Sequence, residues 1–225
     1  MRTLLIGIFA FAMAANAQIT PTRRSITATG SATVASTPDK ANVDLGVTTQ
    51  ATTAQDAAAQ NATQVTSVLN AIRGVLGANA NIKTINYSLS PIYNNPAPGQ
   101  SQVIVGYLAS NIVDATITDL TLIGRVIDAG IAGGANRVQG ISFGLQNPDP
   151  VQAQALKAAA AASLAQAKAI ASGLGVNTGN VLHASQGGSV SPPVVFGAAA
   201  AGATTPIEPG AIQVSASVTI EIEIT

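Results

Sequence analysis

The stretch Ala211-Ile212-Gln213-Val214-Ser215-Ala216-Ser217-Val218-Thr219-Ile220-Glu221-Ile222-Glu223-Ile224-Thr225 decides the fold. Its even positions are apolar: Ile212, Val214, Ala216, Val218, Ile220, Ile222 and Ile224. Its odd positions are polar: Gln213, Ser215, Ser217, Thr219, Glu221, Glu223 and Thr225. Strict alternation over this length is a β-strand with one dry face and one wet face. A sheet face this apolar has to be covered, and the chain upstream supplies three amphipathic stretches of helical period to cover it.

Two further strands precede the first of these. Ile26, Ala28, Gly30, Ala32 and Val34 alternate with Thr27, Thr29, Ser31 and Thr33. Thr37-Pro38-Asp39-Lys40 is turn chemistry. Ala41, Val43, Leu45 and Val47 then alternate with Asn42, Asp44, Gly46 and Thr48, so the two strands read as a hairpin. Thr52 and Thr53 cap the first helix, with Asp56 near the positive end of its dipole. Its expected stripe is Ala58, Ala62, Val65, Leu69, Ile72 and Leu76, and Gly77 and Asn79 end it.

A third strand spans Ile82 to Ile92, with Ile85, Tyr87 and Leu89 on one parity, and a fourth Val103 to Thr118, as an extended hairpin. Residues 94–99 form its loop, and Gly106 marks a bulge or bend. Asp119 opens the second helix, whose stripe is Leu120, Ile123, Ile127 and Ile131, with Gly133-Gly134 as its stop. Val138 to Leu145 is a fifth strand. The third helix runs from about Val151 to Leu174 and is Ala-rich, which favours helix and permits close packing. Its expected inward face is Leu156, Ala160, Ser163, Ala167, Ile170 and Leu174. Asn180 to Ser185 is a short sixth strand, and a Gly-, Ala- and Pro-rich loop over 187–209 precedes the closing strand. The order is ββαββαβαβ, an α+β fold with an antiparallel sheet and about three helices on one face. The Thr- and Ser-rich parities of the first and closing strands suit a solvated face or one that meets another subunit.

The N-terminus reads as a targeting signal. Met1-Arg2 is basic, Leu4 to Ala15 is apolar, and Ala15-Asn16-Ala17 fits a small-x-small cleavage site. Residues 1–17 are therefore expected to be a signal peptide and 18–225 a single α+β domain beginning at Gln18. No Cys follows the cleavage point, so no lipid anchor is expected there, and no later segment has the run of a spanning helix. The expected location is the periplasm, with outer-membrane association or secretion as variants.

Composition removes several function classes. The net charge is zero, 9% of residues are charged and 3% are aromatic, with no Trp. A nucleic-acid partner needs a basic patch or stacking platform, and a membrane barrel an aromatic girdle. Cys is absent, so disulfides, thiolate nucleophiles and Cys-based metal sites are absent too. His183 is the only His and has no sequence-near ligand, where a metal site needs about three or four. Glu221 and Glu223 share a strand face. They read either as a carboxylate pair or as charges that discourage sheet-edge pairing, the latter being favoured. Gly130 to Gly134 follows a helix, whereas a phosphate loop follows a strand. No Gly-x-Ser-x-Gly elbow occurs. No catalytic residue, metal or cofactor is assigned.

The remaining candidate is the 187–209 loop. Val194, Val195 and Phe196 form an apolar knot that is costly to leave wet, and docking on another subunit or partner competes with a plain linker reading.

Several stretches in order resemble the SIMPL-domain family of bacterial periplasmic and outer-membrane-associated proteins. They are Ile26-Thr27-Ala28-Thr29-Gly30 with Pro38-Asp39, and Ile82-Lys83-Thr84 running to Pro91-Ile92-Tyr93. Gly106-Tyr107 through Asn111, Ile127-Asp128-Ala129 with Gly134-Ala135-Asn136, and Ile141-Ser142-Phe143 follow. The Ala-rich third helix and Pro209-Gly210 complete the set. The loop before the closing strand is richer in Gly and Ala than the family pattern. The resemblance implies an α+β domain, an envelope location, immunogenic or stress-defence roles in some members, homo-oligomers in some, and no agreed catalytic activity. The resulting expectation is a non-enzymatic envelope protein that self-assembles and contributes to stress protection. The alternative is a monomeric periplasmic binder of a small ligand or peptide. A β-barrel and an unrecognised hydrolase stand further back.

Overall fold

A computed structural model describes residues 23–94, 98–187, 207 and 209–225. The signal segment 1–17 and the Val194–Phe196 knot lie outside the described residues. The elements are β1 (Ser25–Ser36), β2 (Lys40–Ala51), α1 (Ala54–Leu76), β3 (Ile82–Tyr93) and β4 (Ile104–Ile117). After a 3-10 turn at Leu120–Leu122 come α2 (Ile123–Ala132), β5 (Arg137–Gly144), α3 (Asp149–Gly173), β6 (Thr178–Gly187) and β7 (Ile212–Ile224). The class is α+β with antiparallel strands, as the sequence predicts. The order is ββαββαβαββ, with the sixth and the closing strand both formed where the sequence reading names them, one more strand than the short string counts.

The strands divide over two sheets, ordered β1-β7-β6 and β3-β4-β2-β5. The closing strand β7 is central to the first. It pairs with β1 from Ser25 opposite Glu223 to Ser36 opposite Ile212, and with β6 on its other side. Its alternation is borne out: Ile212, Val214, Ala216, Ile220 and Ile222 are buried. The expected β1–β2 hairpin does not form, since β2 pairs instead with β4 and β5. The turn residues are engaged elsewhere. Asp39 donates its backbone N–H to the Gly144 carbonyl at 3.2 Å, and its Oδ1 accepts from the Gln146 N–H at 2.6 Å. They tie the start of β2 to the end of β5 and send β1 away to the other sheet.

The larger core lies between the four-stranded sheet and helices α1 and α2. Ala41, Val43, Leu45 and Val47 of β2 and Val113, Ala115 and Ile117 of β4 meet Val65, Val68, Ile72, Ile123, Val126 and Ile127. Thr53 caps α1: its Oγ1 accepts from the Asp56 N–H at 3.1 Å and donates to Asp56 Oδ2 at 2.7 Å. Gly77 ends the helix at φ 92°, where only Gly is unstrained. The buried stripe of α1 is Ala57, Asn61, Val65, Val68 and Ile72, so the expected stripe is right at Val65 and Ile72, half-buried against the core at Leu69 and Leu76, and turned by one position at Ala58 and Ala62. Ile131 of α2, expected inward, is 52% exposed.

Helix α3 covers the three-stranded sheet with a face of Ala155, Ala159, Ser163, Ala167 and Ala171. Ser163 and Ala167 face inward as expected and Leu156 is half-buried against this core, but the expectation is corrected at two positions: Leu174 is 64% exposed and Ile170 is also exposed. The cause is on β1, where an added Cβ at Gly30 would land on the backbone of Ala159 and Ser163. The helix lies so close to the strand that only small side chains fit between them.

Candidate functional site

Two places on the four-stranded sheet stand out, one polar and one apolar. On the face of that sheet turned away from α1 and α2, β2 and β4 set Asp44 directly opposite Asp114. Asp114 is 5% exposed. Asn42 Nδ2 donates to both its oxygens, at 3.0 and 2.8 Å, and Lys83 Nζ lies 3.7 Å from Oδ1. Asp44 Oδ1 is buried with no hydrogen-bond donor. Its carboxyl is held above the ordinary value, first by burial, then by the hydrogen bond it shares with Asp114 and by the Asp114 charge, while Lys83 pulls the other way. Like charges directly opposed across a strand pair repel, and a proton on Asp44 turns that repulsion into a hydrogen bond. The two carboxyls, the Asn42 amide and Lys83 form one polar cluster on this face. Among the described residues no group of three or more His, Asp or Glu gathers into a metal site.

The apolar place is the β3–β4 hairpin. From Thr84 through Val113 the sequence carries no Asp, Glu, Lys, Arg or His. Ile85, Tyr87, Leu89, Tyr93, Val103, Ile104 and Val105 are all large and exposed, between 40% and 59%. Register places Tyr87 beside Asn111 and Leu89 beside Ala109, on the face that α1 covers further along β4 and β2. α1 stops short of this edge, so the row continues past its shelter. The ladder slips at Ile85 and again opposite Gly106, the bend that its Gly predicts. Asn94 closes the tip, donating its N–H to the Val103 carbonyl at 2.9 Å and accepting from the Val103 N–H on Oδ1 at 2.7 Å.

The residues singled out from sequence come together only in part. His183 is exposed on β6, opposite Glu221 in register. Ser25 Oγ donates to Glu221 at 2.6 Å rather than to the imidazole, so no nucleophile–base pair forms. Glu221 and Glu223 sit on β7, the central strand, so the reading that they guard a sheet edge is overturned. The Asp44–Asp114 pair escaped sequence reading because 70 residues separate its members, and only the β2–β4 register reveals it. The apolar row was legible as the Ile85, Tyr87, Leu89 parity, but its lack of cover was not. Among the described residues no helix is long and apolar enough to cross a membrane.

Comparison with known proteins adds the family. The family described as "SIMPL: Protein of unknown function (DUF541)" matches residues 26–222. The 26 kDa periplasmic immunogenic protein of Brucella melitensis is 29% identical over 187 residues, 81% of this chain and 75% of that protein. The protein YggE of Escherichia coli K12 is 29% identical over 161 residues, 72% of this chain and 65% of its own length. YggE of Edwardsiella ictaluri is 25% identical over 177 residues, 79% and 74% of the two chains. The match runs from the second residue of β1 to within two residues of the end of β7, spanning both sheets and all three helices. The chain belongs to the SIMPL family.

Proposed function

We propose that this chain is an exported, non-enzymatic protein of the periplasm that works as a homo-oligomer, with residues 1–17 as its signal peptide and 18–225 as one functional domain. The observation that carries the reading is the uncharged hairpin 84–113 with its exposed apolar side chains. A patch of that kind on a soluble chain marks an interaction surface. The basic-apolar-small pattern of residues 1–17 and the similarity to a Brucella protein named periplasmic support the location. Non-enzymatic action accords with Ser25 Oγ donating to Glu221 rather than to the His183 imidazole. Peripheral contact with the outer membrane and a part in stress protection rest on the family resemblance alone. Val194, Val195 and Phe196 are proposed as a second contact in the assembly.

The test is the absolute mass of the mature chain, Gln18 to Thr225, by light scattering without detergent. A mass several times that of one chain is expected, and a clean monomer at micromolar concentration rejects the reading. Deleting 188–207 separately tests the Val194–Phe196 contact, since unchanged assembly removes it. An open groove of about 600 Å³ beside α1 favours the second reading, a monomeric ligand binder. Thr49, Gln60, Thr63, Gln64 and Ser67 line it with amides and hydroxyls, suiting a neutral polar ligand.

A further inference from the structure

We propose that two copies of this chain join edge to edge through β3, antiparallel about a two-fold axis near Ser88, making one eight-stranded sheet from two four-stranded ones. The inference rests on the self-assembly reading above and names its surface. β3 is an edge strand of twelve residues, paired with β4 on one side only. Proteins guard such edges with charges, prolines and bulges. Here the guards are confined to the two ends: Lys83 and the register slip at Ile85 at one, Pro91 at the other. Asn86 to Ser90 between them is regular, uncharged and unguarded.

The edge is also complementary to itself. Antiparallel pairing about Ser88 sets Tyr87 of one copy opposite Leu89 of the other, twice, on the face where both are exposed. It brings no like charges together, because Lys83 is the strand's only charge. It also closes after two copies, as an isologous contact does. None of the other three edge strands offers the same: β5 carries Arg137 and Gly140, β6 is irregular in register, and β1 shows no large exposed apolar side chain.

The size fits a second copy. Half-exposed side chains of this kind each leave roughly 80–100 Å² bare. Ile85, Tyr87, Leu89, Tyr93 and Val105 therefore expose on the order of 800–1,000 Å² over the two copies, and the part of it that faces across the seam adds to the paired backbones toward the ~1,000 Å² of a specific interface.

The test uses the mature chain, whose lack of Cys makes introduced thiols unambiguous. Asn86→Cys, Ser88→Cys and Ser90→Cys, made singly on the exposed polar face of β3, are oxidised mildly. The position nearest the axis is expected to give a disulfide-linked dimer, strongest at Ser88. Leu89→Lys is expected to lower the mass in light scattering at least twofold with unchanged far-UV circular dichroism, and to abolish the cross-link. If wild type is a monomer, the self-assembly reading and this inference fall together. If wild type is an oligomer, no single Cys cross-links and a folded Leu89→Lys variant keeps the wild-type mass, the assembly stands and this interface is overturned. If Leu89→Lys fails to fold, the cysteine series decides. A monomer that sediments with lipid vesicles through Leu89 assigns the row to a membrane surface and overturns the proposal.

Discussion

Burial first, and then the carboxyl of Asp114, raise Asp44 above its ordinary value. Its Oδ1 has no donor, and the Asp114 carboxylate across the ladder is already supplied by Asn42 and Lys83. A carboxyl raised above its ordinary value of 3.8 keeps its proton in the folded chain at pH values where the unfolded chain has lost it. Stability from this group is thus fully present below that value and is lost as pH rises through the higher folded value. Asp44→Asn, which supplies a permanent donor to Asp114, is expected to be more stable than wild type at pH 7 and to lose that advantage by pH 4. The gain is on the order of half a kcal/mol, because the site is partly solvent-screened. Urea titrations of both proteins at the two pH values measure it, and an advantage that grows on acidification contradicts the assignment. Thr53 gives a simpler case. Thr53→Ala removes both halves of its exchange with Asp56 and is expected to cost about 1 kcal/mol, restored by Thr53→Ser. The cap was legible from sequence because its partners lie three residues apart. The carboxyl pair was not, because nothing local to Asp44 points to Asp114.

At the scale of the element, α3 shows where local reading works and where it stops. Its length and Ala content were readable, since propensity acts through the helix itself. Its inward face was misread toward Ile170 and Leu174, because apolar size is a poor guide where the partner strand carries Gly30 at the contact. The spacing of the buried set, Ala155 to Ala171 in steps of four, is a close-approach face rather than a hydrophobic one. Gly30→Ala drives a methyl into backbone that cannot swing aside, and a loss of about 3 kcal/mol is expected. Ala167→Leu, on the facing side, is expected to cost about 2 kcal/mol by the same overpacking. Chemical denaturation reads both, and a loss under about 0.5 kcal/mol at Gly30 refutes the close contact. The β1–β2 pair failed as a prediction for a different reason. Two alternating strands joined by turn residues satisfy every local criterion of a hairpin, yet β1 finds a longer apolar partner in β7, 196 positions away at Ile26 opposite Ile222.

Over the whole molecule, the buried residues fall into separate cores. One joins the four-stranded sheet to α1 and α2, and the other residues gather under α3 on the three-stranded sheet. No buried residue is shared between them. Regions with separate cores open separately, so Gly30→Ala is expected to raise amide exchange across β1, β7 and α3 while β2, β4 and α1 keep their wild-type protection. Uniform acceleration in both halves shows a single cooperative unit instead. The chain's class was legible because alternation and helical period are written in every segment. Its division into two sheets was not, because partner choice is a long-range property of β1 and β7.

The placement of β7 at the centre of its sheet also sets a timetable. β1 emerges from synthesis near the start and lacks its partner until nearly two hundred further residues have followed. β6 waits beside it, since its ladder too is with β7. Contacts of this sequence separation form slowly. For the export proposed above this delay is an advantage, because β1 and β6 stay unable to close their sheet while a translocation pore still holds β7.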